Sequence, residues 1–204
     1  MNGRPNVTSN TLNGKKQPYC ALQTKFKHIT TMFEIEGKTV FLKLWRLFTL
    51  VLTALTTGMS FSHVLELPAK RQYDTKLYLS VQKSLYDLYG TAGVTVEGSW
   101  LFALVLLFFV RKRRSVFLLT LAGTLCLIVA QAVWWAFVRP VNAQVIHWTT
   151  DSLPANWRQL RDRWEYAHAG RFVLHLAGFT LLLLSILQDV SETTKSPSMY
   201  KDGL

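Results

Sequence analysis

The run SVFLLTLAGTLCLIVAQAVWWAFV, residues 115–138, contains 24 residues and no charge. A helix needs about 20 consecutive apolar residues to cross the hydrocarbon of a bilayer. This stretch therefore reads as a transmembrane helix and places the chain in a membrane. Three further apolar runs flank it. The first, about 41–65, is interrupted near its start by Lys43 and Arg46. The second, about 93–110, is free of charge from Ser99 to Val110. The last, about 168–188, has His175 as the one ionisable group between Phe172 and Leu187. None shows the period-two alternation of a barrel strand, and in lipid only helices or closed barrels satisfy the backbone. The expected fold is an all-α membrane protein over residues 39–190, a four-transmembrane-helix antiparallel bundle.

Half of the 204 residues are hydrophobic and 17% are charged. That balance excludes a wholly disordered chain and a collagen-like fibre. The net charge of +11 would suggest nucleic acid in a soluble protein. Here the cations lie in the N-terminal arm and beside the apolar runs, which fits lipid headgroups, so the bilayer is the expected partner and nucleic acid is not. Residues 1–38 read as a disordered basic arm and 191–204 as a polar tail. Between the first two runs, Leu77, Val81, Leu85 and Leu88 recur at helical spacing opposite Lys76, Lys83 and Asp87. These predict an amphipathic helix over Tyr73 to Tyr89. The loop Arg111-Lys112-Arg113-Arg114 is a cytoplasmic marker by the positive-inside rule, which puts both termini on that side. Cys20 and Cys126 are far apart, and Cys126 sits inside an apolar run, so no structural disulfide is expected.

Antiparallel packing brings the end of the first span and the start of the fourth to one membrane face, whichever side that is. His63 and Glu66 are three residues apart, as are Glu165 and His168, so each pair projects from one side of its helix. Two carboxylates and two imidazoles thus become candidate catalytic residues, suited to proton transfer. The same four are candidate ligands for a transition metal, because Glu-x-x-His pairs on facing helices hold di-metal centres in bundles; the two further carboxylates of that pattern are missing. Trp157, Arg161, Trp164, His168, Arg171 and His175 recur at spacings of four, three, four, three and four. Lipid alone would not select Arg and His for such a stripe, nor water Trp, so it reads as a pocket wall. Gln131, Trp134, Trp135 and Asn142 lie near the same face. With Trp164 and Arg171 they are the expected substrate-binding set. No nicotinamide, flavin or haem motif is present.

The residues also carry a resemblance. Gly58 followed by His63-Val64-Leu65-Glu66-Leu67-Pro68 resembles the first-helix signature of the anthrone oxygenase family of small membrane proteins. The Pro140-x-Asn142 element is similar too, as is the Arg158-to-His168 core, Arg-x-x-Arg-x-Arg-Trp-Glu-x-x-His. The resemblance spans about residues 40–188 and implies a four-helix membrane bundle related to the DoxD-like group. It also implies oxidation of an anthrone, a planar phenolic tricycle, to an anthraquinone with dioxygen. His63 or His168 would then be the base and Arg171 or Arg163 the holder of the resulting anion, with dioxygen reacting directly or through a metal. The expected partner in that case is a small lipophilic substrate. The other class of answer is a non-catalytic multi-pass protein that binds a lipid, quinone or metal, or scaffolds a complex. The sequence leaves a homodimer open.

Overall fold

The computed structural model describes residues 17–195. Among the described residues every regular element is helical, with no strand. The elements are α1 (Gln17–Lys70), α2 (Thr75–Val96), α3 (Ser99–Val110), α4 (Arg114–Val133), a π-helical turn (Trp134–Val138), α5 (Arg139–Val145) and α6 (Trp157–Lys195). The chain divides between Lys43 and Leu44 into two units, and everything of functional interest lies in the second.

Three helical segments are long and apolar enough to cross a membrane: Glu36–Lys70, Arg114–Val145 and Trp157–Glu192. Ser99–Val110 is a shorter apolar helix. Burial follows an inverted pattern that fits lipid. Along α1 the buried positions are Arg46, Thr49, Thr53, Thr56, Ser60, His63 and Lys70, whereas Leu44, Leu47, Phe48, Val51, Leu55 and Leu65 are exposed. α6 repeats the pattern, burying Glu165, His168, Arg171, His175, Ser185 and Asp189 and exposing Val173, Leu176, Leu183, Leu184, Leu187 and Val190. Water would drive the apolar face inward. Lipid does not, so the interior is left to polar groups that find partners there. The threonines comply locally: Thr49, Thr53, Thr120 and Thr124 each donate to the carbonyl four residues back, the usual way a hydroxyl is satisfied inside a helix.

α4 and α6 pack most closely where Gly123 meets Gly178. A Cβ on Gly178 would lie 2.8 Å from Leu127 Cδ2 and 3.1 Å from the Gly123 carbonyl oxygen. Small residues at such a contact let two membrane helices approach backbone to backbone.

Several boundaries differ from expectation. α1 starts at Gln17, so residues 17–38 are helical rather than an unstructured arm; Pro18 sits in the first turn, where a proline is tolerated, and the next proline is Pro68. Residues 1–16 of that arm, and 196–204 of the polar tail, lie outside the described residues. The 93–110 run is broken by a turn at Glu97 and Gly98, leaving α3 with 12 residues. α6 begins at Trp157, eleven residues before the expected span, and agrees with the helix start that Asp151 to Pro154 suit. The helix between the first two runs is present, capped by Asp74, whose side chain accepts from the Leu77 amide at 2.8 Å. Tyr78, Leu79 and Gln82 point inward, Tyr78 and Leu79 joining an apolar cluster with Val138, Val141, Val145 and Trp164, while Leu77 and Leu85 are exposed together with Lys76 and Lys83.

Candidate functional site

α2, the π-helical turn, α5 and the facing stretches of α1 and α6, with Trp100 of α3 and Gln131 of α4, line an open cavity of about 790 Å³. His63 of α1 and His168 of α6 line its inner wall with ring centroids 4.0 Å apart. Both are buried. Neither ring nitrogen of His168 has a hydrogen-bond partner, nor does Nδ1 of His63. Aromatic rings pack around the pair: Tyr86 stacks on His63 at 5.2 Å, Trp164 meets His63 edge-on at 5.1 Å, and Trp164 lies 4.2 Å from His168. Trp164 is fixed in turn, its indole N–H donating to Asn142 Oδ1 at 2.6 Å.

Deeper in, Arg171 is almost fully buried. Its Nη2 donates to Glu97 Oε1 at 2.7 Å and its Nε to the Ala130 carbonyl at 3.2 Å. One turn further, His175 Nδ1 is 2.8 Å from Ser60 Oγ. Trp134 and Trp135 are in contact, ring centroids 5.1 Å apart, and both line the cavity from the π-helical turn. Such turns re-aim side chains within a helix and are common at functional sites.

The carboxylates occupy a different layer. Lys70, 1% exposed, sets its ammonium 2.8 Å from Glu66 and 3.5 Å from Glu165. The same ammonium lies 4.2 Å from the centroid of the Tyr86 ring, close enough for cation–π attraction. The Tyr86 hydroxyl donates to Glu66. Burial, and then the Glu66 carboxylate beside it, push the Tyr86 phenol well above its ordinary value. The Tyr78 phenol, which accepts from Gln82 Nε2 at 2.8 Å, is likewise raised, mainly by burial.

The expected residues therefore sort into two groups. His63, His168, Gln131, Trp134, Trp135, Asn142, Trp164 and Arg171 all line one cavity. Glu66 and Glu165 stand outside that lining, paired with Lys70. A lysine ammonium holds the space between the carboxylates, and among the described residues no group of three or more His, Cys, Asp or Glu side chains is arranged to hold a metal ion. Of the two arginines offered as anion holders, only Arg171 faces the cavity; Arg163 is exposed and donates to the Ala136 carbonyl at 3.1 Å.

Lys70, Tyr86, Tyr89 and Glu97 escaped the sequence reading. Lys70 had a signal, a Glu66–Lys70 pair at helical i, i+4 spacing. Glu97 had another, as the single charge between Asp87 and Arg111.

Compared with known proteins, residues 83–181, just under half of the chain, match the family described as anthrone oxygenase. That stretch holds two of the three quoted motifs, Pro140-x-Asn142 and the Arg158-to-His168 core. No curated protein and no solved structure matches the chain.

Proposed function

We propose that this chain, whose residues 83–181 match the anthrone oxygenase family, is a member of it, a membrane oxygenase whose cavity beside His63 and His168 takes a lipophilic, anthrone-like substrate. The observation that carries this reading is the pairing of an imidazole couple with aromatic walls in one cavity of about 790 Å³. Ligand cavities commonly measure about 300–1,000 Å³, with apolar walls and a few convergent polar groups.

The chemistry follows from the substrate's acidic methylene. One imidazole of the pair removes a methylene proton. The electron pair left behind delocalises onto the ring carbonyl oxygen, and the Arg171 donors not engaged with Glu97 and Ala130 stabilise it. Dioxygen, the co-substrate, takes the two electrons one at a time and bonds to the carbon. The imidazolium returns its proton to the distal oxygen, giving a hydroperoxide. Loss of the second methylene proton breaks the O–O bond, leaving a carbonyl and water. One oxygen atom ends in the quinone and the other in water, so no external reductant is required. Trp134, Trp135 and Trp164 hold the planar substrate, Asn142 orients Trp164, and Gln131 contributes a neutral polar contact. Glu66 and Glu165 act on the reaction through Lys70 and Tyr86.

The same proposal includes the topology. α3 is the remaining crossing of a four-helix antiparallel bundle, with the end of α2 completing the thickness that its 12 residues do not reach, and the Arg111–Arg114 loop and both termini are cytoplasmic. Protein reconstituted in vesicles with an anthrone tests the chemistry. Oxygen uptake should match anthraquinone formation one to one, and His63→Ala and His168→Ala should each slow it by about 10²–10⁴-fold. Uptake no faster than in empty vesicles sinks the oxygenase reading and leaves a lipid- or quinone-binding role.

A further inference from the structure

A second group of buried charge lies farther along the same two helices, in the middle of α1 and near the C-terminal end of α6. Arg46 precedes His63 by seventeen residues on α1, about 25 Å along the helix axis. Asp189 follows His175 by fourteen residues on α6. Arg46 Nη1 donates to Asp189 Oδ2 at 2.6 Å. Arg113, from the basic loop between α3 and α4, donates to Asp189 Oδ1. Arg46 and Asp189 are 8% and 6% exposed, whereas the Arg113 side chain is half-exposed.

Among the described residues, the charges in this group do not balance. Two guanidinium groups meet one carboxylate, and each carboxylate oxygen already accepts from one of them. The next carboxylate along α6, Glu192, accepts from Gln188 at 2.8 Å. The rest of the loop adds only positive charge, with Arg111 over the Phe108 ring and Lys112 and Arg114 exposed. Nε and Nη2 of Arg46 are buried with no hydrogen-bond partner. Those two donors form one side edge of the guanidinium plane, the fork that grips two oxygens of an oxyanion. An excess positive charge at the edge of a membrane domain is costly unless an anion completes it.

We propose that Arg46 and Arg113 form an oxyanion site for a phosphate group, supplied by the headgroup of an anionic phospholipid at the membrane face that carries Arg111–Arg114. Asp189 holds the two arginines in register, and the Arg46 side edge takes the phosphate oxygens. This site is separate from the cavity and independent of the reaction proposed for it.

The test uses the full chain reconstituted in phosphatidylcholine vesicles alone, with phosphatidylglycerol admixed, or with inorganic phosphate added. The melting temperature of the wild type should rise by about 5 °C with phosphatidylglycerol. Arg46→Gln should lose that increment. Asp189→Asn, which removes the competing carboxylate, should keep it even if its own baseline falls. Where Arg46→Gln fails to fold, Arg113→Gln, at a half-exposed position, should lose at least half of the increment. A rise with phosphatidylglycerol alone assigns the site to a lipid headgroup, and an equal rise with inorganic phosphate assigns it to free phosphate. An increment of the same size in Arg46→Gln, or none in the wild type with either probe, overturns the proposal.

Discussion

Lys70 determines what the acidic side chains of the site can do. With its ammonium between Glu66 and Glu165, Lys70 pairs with one fully buried carboxylate, Glu165, and one partly exposed carboxylate, Glu66. Removing one partner of a buried charge pair typically costs about 3–5 kcal/mol. Lys70→Met should therefore lower the detergent-phase melting temperature by roughly 10 °C, while the milder Lys70→Arg should recover part of the loss. A Lys70→Met protein that melts with the wild type would show that the pair is not maintained in the membrane. Tyr86 gives a prediction with a definite sign. Its phenol is raised by burial and by Glu66, so it stays protonated where an unfolded tyrosine ionises, near about pH 10. The unfolded state then binds fewer protons than the folded one above that pH, and the Tyr86 contribution to stability is lost as pH rises. Ultraviolet titration should accordingly give Tyr86→Phe the same tyrosinate amplitude as the wild type up to the pH of unfolding. A smaller amplitude in the variant would place an ordinary, solvated phenol at this position.

Among the elements, the contact between α4 and α6 is the most demanding sterically. A side chain at Gly178 must displace Leu127 or press on the Gly123 backbone, and overpacking of this kind costs about 1–3 kcal/mol. Gly178→Val should lower the melting temperature by several degrees. Gly170→Ala on the same helix, where a Cβ meets nothing within 4 Å, should leave it level or raise it, since alanine exceeds glycine in helix propensity. Equal effects at both positions would mean that the two helices do not meet at Gly123. The sequence made the existence of these helices plain, because charge-free runs of such length have few other solutions in lipid. It did not reveal every end. The turn at Glu97 and Gly98 divides a run that reads as continuous, whereas the start of α6 was legible, because the Trp157-to-Arg171 stripe already has helical spacing. The inward face of α2 was also hidden: Leu77 and Leu85 follow the spacing of a packing face yet are exposed, while Tyr78 and Leu79 pack into an apolar cluster, and hydrophobic periodicity alone cannot say which side of a membrane-associated helix is in.

For the whole molecule, the arrangement of polar residues reports on function and topology together. The cavity residues were legible because Arg, His and Trp at spacings of three and four have no bland explanation inside a span. Lys70 and Glu97 were not, because their roles depend on helices that meet only after folding. The two polar clusters, His63/His168 and Arg46/Asp189, stand about 25 Å apart along α1, close to the thickness of a bilayer's hydrocarbon, and a chain that spans the bilayer with α1 and α6 presents those two levels to different faces. This fixes a topological prediction. In a background with Cys20 and Cys126 replaced by Ser, single cysteines at Lys112, in the basic loop, and at Thr150, in the connection before α6, should react with a membrane-impermeant thiol reagent from opposite sides of sealed vesicles. The Lys112 position should react from the side that was cytoplasmic. Labelling of both from one side would refute the bundle, since it would bring the two ends of α4 and α5, a segment long and apolar enough to cross, to the same face.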